Sequence, residues 1–456
     1  MQPVPSHRWR LFALSLAMLL PSLGTSIANV ALPTLAASFE APFHDVQWIV
    51  IAYLIAVTAL VVAAGRLGDL FGRRRLLLAG IAVFALASAA GAFAGNLWLV
   101  VAARAAQGAG AAVMMALTVA AVGDVVPKEA TGRAIGLLGT VSAVGTALGP
   151  SLGGALVAAF GWQSVFAFMA LAGAVALVIG VRLFPQDAAR GPRRLQLDPA
   201  GTLLLALSLG AYALATTLDA APGVVALLAA AAALGLAAFV AVELHVESPL
   251  IRLPLLRDRT LGAGLAALAI VSAIVMATLV VGPFYLADVQ GLSAVDVGLV
   301  MSVGPGVSAL TGVPAGRLVD RLGPYAVALT GLAAVLAGSL SMMSLHGAIG
   351  VAGYAVSLAT ITAGYALFQA AGNTAVMNGA AAERRGLVSA LLALARNLGL
   401  VTGASLMGAV FALGSGGIAP LGLAPGSTSG LQLTFAVAAA AAGIALAVAG
   451  RGLRGR

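Results

Sequence analysis

Long apolar runs recur along the chain at near-regular intervals, separated by short polar connectors. Each run is about 20 residues or more and continuously rich in Ala, Leu and Gly, so each reads as a helix able to cross a hydrocarbon core roughly 30 Å thick. A closed barrel would instead need alternating segments of about ten residues. The runs fall at 11–33, 46–64, 76–95, 97–123, 134–160, 163–184, 199–218, 222–242, 262–287, 292–315, 325–345, 347–377, 387–413 and 430–450. They predict an all-α, polytopic membrane protein with 14 transmembrane helices. The first run follows MQPVPSHRWR. It is too long for a signal peptide and lacks a small-residue cleavage site, so it is read as span one.

Composition agrees with a lipid solvent. Hydrophobic residues make up 61% of the 456 residues and charged residues 9%, against about 25% charged in a soluble domain. Too few charges exist to cover several water-facing globules, which excludes a soluble multidomain enzyme. The net charge of +9 could suggest nucleic acid, but the placement of the cations explains it otherwise. Of the 24 Lys and Arg, all but Arg104 and Arg396 lie at the N-terminus, after even-numbered spans or at the C-terminus. The odd-to-even connections hold none. An even number of spans with this bias predicts both termini on the cytoplasmic side of a bacterial inner membrane. No nucleic-acid partner is expected. Cysteine is absent, which excludes disulfides and thiolate metal sites; neither a metal nor a cofactor is expected.

Two longer polar connectors, 185–198 and 244–261, bracket spans seven and eight, so the chain parses as six, two and six helices. The expected units are an N-terminal bundle, 1–184, an inserted pair with its connectors, 185–261, and a C-terminal bundle, 262–456. A repeated motif supports that parse. Gly65-Arg-Leu-Gly-Asp69-Leu-Phe-Gly72-Arg73-Arg74 follows span two, and Gly316-Arg-Leu-Val-Asp320-Arg321-Leu-Gly323 follows span ten, the second helix of the last block. Equivalent connections in equivalent places imply duplicated halves, as in many transporters. Within each connection glycines permit close backbone approach, and the acid can pair with a cation or a helix N-terminus.

Four spans carry further chemistry. In span four, Arg104, Gln107, Gly108, Ala111 and Met115 share one helical face. An arginine at that depth costs about 2.5–3.5 kcal/mol on insertion scales, so it is expected to meet a cavity or a partner. In span five, Gly136, Gly145, Gly149-Pro150 and Gly153-Gly154 form a stripe of small residues. Gly145, Gly149 and Gly153 should let another helix approach closely, and Pro150 removes a backbone donor. The same stretch matches G-x-S-x-G around Ser151, but a nucleophile elbow needs a strand–turn–helix context and a histidine, so no enzyme is expected. In the second half, Tyr365, Gln369 and Asn373 line one face of span twelve, and Arg396-Asn397 lie within span thirteen ahead of Gly399 and Gly403.

Together these motifs resemble the major facilitator superfamily and, within it, the fourteen-helix drug/proton antiporters. The GRLGDLFGRRR segment is similar to that superfamily's connection between helices two and three, which implies that Asp69 and Asp320 help latch one conformation. R-x-x-Q-G in span four resembles a motif implicated in proton transfer. The span-five glycines fit the antiporter signature at every fixed position. Span one, LPSLGTSIANVALP, resembles the family's segment at Asn29 and Pro33, but Gly24 stands where the family usually has an intramembrane Asp. That departure removes the usual proton carrier. Arg104, Gln107, Asp124 and Asp288 are then the coupling candidates.

The expected function is secondary active export of amphipathic small molecules by alternating access, with protons as the exchanged partner. The substrate path would run between the bundles, past Asn29, Met115, Tyr365, Gln369, Asn373, Arg396 and Asn397. Two mid-span arginines without a mid-bilayer acid would bias that path toward anionic or zwitterionic cargo. The alternative is a uniporter or exporter of one metabolite or lipid. The protein is expected to work as a monomer in the bilayer.

Overall fold

The computed structural model describes residues 7–127, 130–185, 198–246, 259–379, 385–416 and 425–452. Within them, side chains are described except at 132, 259–260, 313, 345–348, 373, 376–379, 385–390 and 451–452. Among the described residues there is no strand, and 14 helical segments are long and apolar enough to cross a membrane.

Span one is α1 (His7–Ser26), a 3-10 turn (Asn29–Ala31) and α2 (Leu32–Phe39) in series. The break falls where Pro33, at the start of α2, has no N–H for the helical ladder, and the Leu32 N–H bonds Asn29 instead. A short α3 (Phe43–Val46) follows, and then α4 (Trp48–Phe71), α5 (Arg73–Ala92), α6 (Leu97–Val125), α7 (Thr131–Phe160) and α8 (Gln163–Leu183). The inserted pair is α9 (Pro199–Thr217) and α10 (Pro222–His245), and α11 (Arg259–Asp288) opens the last block. The long α12 (Ala294–Gly379) is three spans in one train, with non-helical backbone at Gly323 and at Ile349 and Gly350. The chain ends with α13 (Arg385–Thr402), a π-helical turn (Gly403–Met407), α14 (Gly408–Ser415) and α15 (Ser427–Gly452).

The expected connection GRLGDLFGRRR is corrected by the structure. Gly65 to Phe71 form the last turns of α4, and the chain turns only at Gly72, whose φ of 95° favours glycine. Its repeat behaves alike: Gly316 to Leu322 are helical and the turn falls on Gly323, with φ 81°. Each acid is therefore carried on a helix end.

Two compact units form. One comprises Met1–Ala41, Trp48–Ser208 and Leu234–Leu250; the other comprises Pro42–Gln47, Leu209–Ala233 and Ile251–Arg456. The halves of α9 and α10 are thus shared out, and α3 belongs to the second unit although it follows span one. There Phe43 packs on Phe284 and Phe411, ring centroids 4.8 and 5.0 Å apart.

Because lipid tails are as apolar as Leu, helix association rests on close packing rather than on burial from water. Large apolar side chains such as Phe93, Leu171 and Leu310 accordingly stay exposed. The contacts are made at small residues. A Cβ on Gly110 would lie 2.6 Å from the Gly80 carbonyl oxygen and 2.7 Å from the Phe84 nitrogen. In the second unit, a Cβ on Gly364 would lie 2.6 Å from the Gly331 oxygen and 2.8 Å from the Val335 nitrogen. The same interval separates Gly72 from Gly80 as Gly323 from Gly331, so the repeat read from one motif extends into the packing.

Candidate functional site

Arg104 on α6 is fully enclosed, at 0% exposure. Its Nε donates to the Ile49 carbonyl at 2.9 Å, and Nη1 donates to the Gly24 carbonyl at 3.1 Å and to Gln107 Oε1 at 2.5 Å. The guanidinium carbon lies 4.1 Å from the centre of the Tyr53 ring. Gln107 Nε2 passes the chain on to Ser88 Oγ at 2.6 Å, and Tyr53 Oη donates to the Pro21 carbonyl at 2.8 Å. One cation thus ties α6 to α1 and α4, and through Gln107 to α5. Its charge is met by carbonyl dipoles, an amide and a π face rather than by a carboxylate. Nη2 is buried without a partner. Apart from that one nitrogen, Arg104 meets partners on every side, with its side chain fully enclosed.

Gly24 has no side chain in this network, yet a Cβ there would be 3.0 Å from Met169 Cε and 3.4 Å from Tyr53 Oη. Asn29 is also buried; its Nδ2 donates to the Thr25 carbonyl at 3.4 Å, and Oδ1 has no partner. Met115 is half-buried on α6.

The span-five glycines do what their spacing implies. A Cβ on Gly145 would meet the Leu19 carbonyl oxygen at 2.8 Å, one on Gly149 the Ile27 nitrogen at 2.9 Å, and one on Gly153 the Ile27 oxygen at 2.6 Å. The backbone of α1 therefore lies in the groove of α7, and Ser22 Oγ meets Ser142 Oγ at 2.7 Å beside it. Gly154 and Pro150 are buried, and α7 continues as one helix through Pro150. Gly136 is exposed with no neighbour at its Cβ position, so it takes no part in this contact. Ser151 Oγ donates to the Leu148 carbonyl at 3.2 Å.

At the arginine-rich end, Arg73 donates from Nη2 to Asp69 at 3.0 Å, from Nη1 to Asp124 at 3.2 Å and to the Ala120 carbonyl at 2.8 Å. Arg74 Nη2 and Nε cover the Val181 and Phe184 carbonyls, the open end of α8, at 2.8 and 3.2 Å. Gly68 faces Leu117 so closely that a Cβ would collide with it, whereas Gly65 and Gly316 face open space. In the repeat, Pro324 follows Gly323 where Arg73 follows Gly72. Asp320 and Arg321 are exposed, and Asp320 makes no ion pair among the described residues.

In the second unit, Gln369 Nε2 donates to Tyr365 Oη at 3.2 Å; the Asn373 side chain lies outside the described residues. Asn397 is buried, and half-buried Arg396 has its Nε enclosed without a partner. Asp288 is exposed and accepts from Ser427 Oγ at 3.1 Å.

The sequence reading missed Tyr53 and Ser88, though a tyrosine inside an apolar run signals a hydroxyl needing a partner. It also missed Asp198 and Glu243, the acids that are buried among the described residues, each 4% exposed. They hid because one opens α9 and the other closes α10. Asp198 Oδ1 accepts from the Gly201 N–H at 2.7 Å, while Oδ2 is buried without a hydrogen bond. Both carboxylates converge on the missing side chain of Gly201; a Cβ there would be 2.7 Å from Glu243 Oε1.

A many-helix membrane protein whose halves repeat one glycine-packed design has the build of a secondary transporter. The chain belongs to the Major Facilitator Superfamily, whose family model matches residues 14–404. It is 32% identical over 447 residues to the multidrug efflux pump LfrA of Mycolicibacterium smegmatis, covering 96% of this chain and 88% of that one. It is 28% identical to the riboflavin transporter RibZ of Clostridioides difficile, covering 88% of each. Among solved structures, a bacterial homologue of the human lysosomal transporter Spinster shares the fold, with a TM-score of 0.70 and 17% identity over 99% of this chain and 97% of that one. The protein is a multi-pass membrane transporter of small molecules.

Proposed function

We propose that the protein exports amphipathic small molecules from the cytoplasm by proton antiport with alternating access, working as a monomer with both termini cytoplasmic. The observation that carries this reading is the glycine stripe Gly145, Gly149 and Gly153 seated on the backbone of α1. The relative named as a multidrug efflux pump supports export over uptake. Asp69, Arg73 and Asp124 in one half, with Asp320 and Arg321 in the other, are assigned to conformational latching. Met115, Tyr365, Gln369 and Asn397 are assigned to the substrate path, whose apolar and amide groups grip many shapes while specifying few.

We assign proton carriage to Asp198 and Glu243, the acids enclosed among the described residues, whereas Asp124 is ion-paired and Asp288 is exposed. A second reading is uniport of one metabolite. It is favoured by one observation: the Arg104 network contains no acid to titrate. The test is flux of a labelled amphiphile in proteoliposomes with and without an imposed pH gradient. Antiport predicts saturable accumulation driven by the gradient; equal flux in its absence supports the uniporter.

A further inference from the structure

Between α1 and α7 lies an apolar groove of about 550 Å³. Leu11, Phe12 and Leu19 form one wall and Leu137, Val141 and Val144 the other, while Arg8 stands at one end. Phe12, Leu137 and Val144 are each exposed by two-fifths or more, so the groove is open along its length.

Two independent features point to one occupant. The first is length. From Arg8 to Leu19 the helix rises about 16 Å, which matches one leaflet of a hydrocarbon core about 30 Å thick. The second is charge at one end alone. Ser22 to Ser142 and Ser26 to the Thr146 carbonyl set α1 and α7 parallel in one register. Carried back along both helices, that register puts exposed Arg133 level with Ala13, about a turn and a half along α1 from Arg8 and within side-chain reach of the same end of the groove. His7 Nδ1 lies 2.7 Å from the Val125 carbonyl, pinning the start of α1 to α6 and leaving Arg8 exposed on the groove side.

We infer that this groove binds one acyl chain of an anionic phospholipid from the leaflet on the arginine-rich side, with its phosphate against Arg8 and Arg133. A phosphate supplies the acceptors that two guanidinium groups need, and an acyl chain fills a channel lined by Leu, Val and Phe without leaving a polar group unpaired. The inference rests on the position of Arg8 and holds whether transport is antiport or uniport.

Trp9 is a built-in reporter: it is 61% exposed, adjoins Arg8 and makes an edge contact with Phe12 at 6.2 Å. The chain's other tryptophans, Trp48, Trp98 and Trp162, sit at or beside the starts of α4, α6 and α8. With those three replaced by Phe, the full chain is placed in phosphatidylcholine vesicles containing either brominated phosphatidylglycerol or brominated phosphatidylcholine at equal mole fraction. Quenching of Trp9 should favour the anionic lipid by about fivefold for each arginine engaged. Arg8→Gln should bring the two lipids toward parity, and Thr140→Phe, which fills the groove, should weaken quenching by both. Native mass spectrometry of the otherwise unaltered chain gives the same comparison without the tryptophan replacements: phosphatidylglycerol should be retained over phosphatidylcholine and lost with Arg8→Gln. Equal quenching or retention of the two lipids, or a preference untouched by Arg8→Gln, overturns the inference. So does release of the lipid by a transported amphiphile, which would assign the groove to the substrate path.

Discussion

The two halves share a packing plan but not a chemistry. Gly110 against Gly80 and Gly364 against Gly331 are the same crossing made twice, as are Gly145 on Leu19 and Gly399 on Ala269. Yet Leu358, 2% exposed, precedes Gly364 at the interval at which Arg104 precedes Gly110. The first half buries a guanidinium among carbonyls; the second buries Tyr354, one turn before Leu358, stacked 5.9 Å from Tyr285 and donating to the Thr278 carbonyl at 3.3 Å. The latch divides the same way: Arg73 has two acids, and Pro324 stands in its repeat position. Duplication preserves what sets helix spacing, because a misplaced methyl group there collides with backbone, and leaves buried polar groups free to diverge.

The sharpest way to break that comparison is to exchange its central residue. Leu358→Arg places a cation in a pocket without the Arg104 partners and should cost about 3–5 kcal/mol, seen as a large fall in melting temperature in detergent. Arg104→Leu strands the acceptors at Ile49, Gly24 and Gln107 and should cost about 2 kcal/mol. If the two exchanges were equally mild, the halves would be chemically interchangeable.

Gly24→Asp sharpens the contrast from the other side. Met169 Cε must yield to the new Cβ, after which the carboxylate stands beside Arg104. A gain of about 1 kcal/mol is expected at neutral pH, where the acid is ionised. It should fade as pH falls and the acid takes up its proton. A melting temperature with the same pH profile as the parent would mean that the carboxylate does not reach the guanidinium. The smallest effects belong to the latch. Arg73→Gln should lower stability by under about 1 kcal/mol, since both partners are over a third exposed. Pro324→Arg, supplying Asp320 with the missing cation, should change it by no more than that.

Much of this was legible in the chain itself. The fourteen spans follow from runs of apolar residues, and the duplication from a single repeated motif. The stripe at Gly145, Gly149 and Gly153 told correctly that another helix would press against it, though not that the helix is α1. Burial was harder to read. A cation within a span says that some partner exists, but Arg104 is satisfied by backbone carbonyls of Gly24 and Ile49, and every residue has a carbonyl. Asp198 and Glu243 escaped notice because their enclosure depends on two helix ends meeting, which no local pattern records. The segment from Gly65 to Phe71 reads as a connection because it mixes Gly, Arg and Asp, yet the helix continues through it to the turn at Gly72.

The central claim is that cargo and protons move in opposite directions, with Asp198 and Glu243 carrying the proton. It is tested most directly by following internal pH with a trapped dye as cargo is added to proteoliposomes at no imposed gradient. Cargo entry should expel protons from the lumen, and the signal should vanish when Asp198→Asn and Glu243→Gln are combined in a chain that still binds cargo. Cargo entry with no change in internal pH, or a pH change that survives both substitutions, would contradict it.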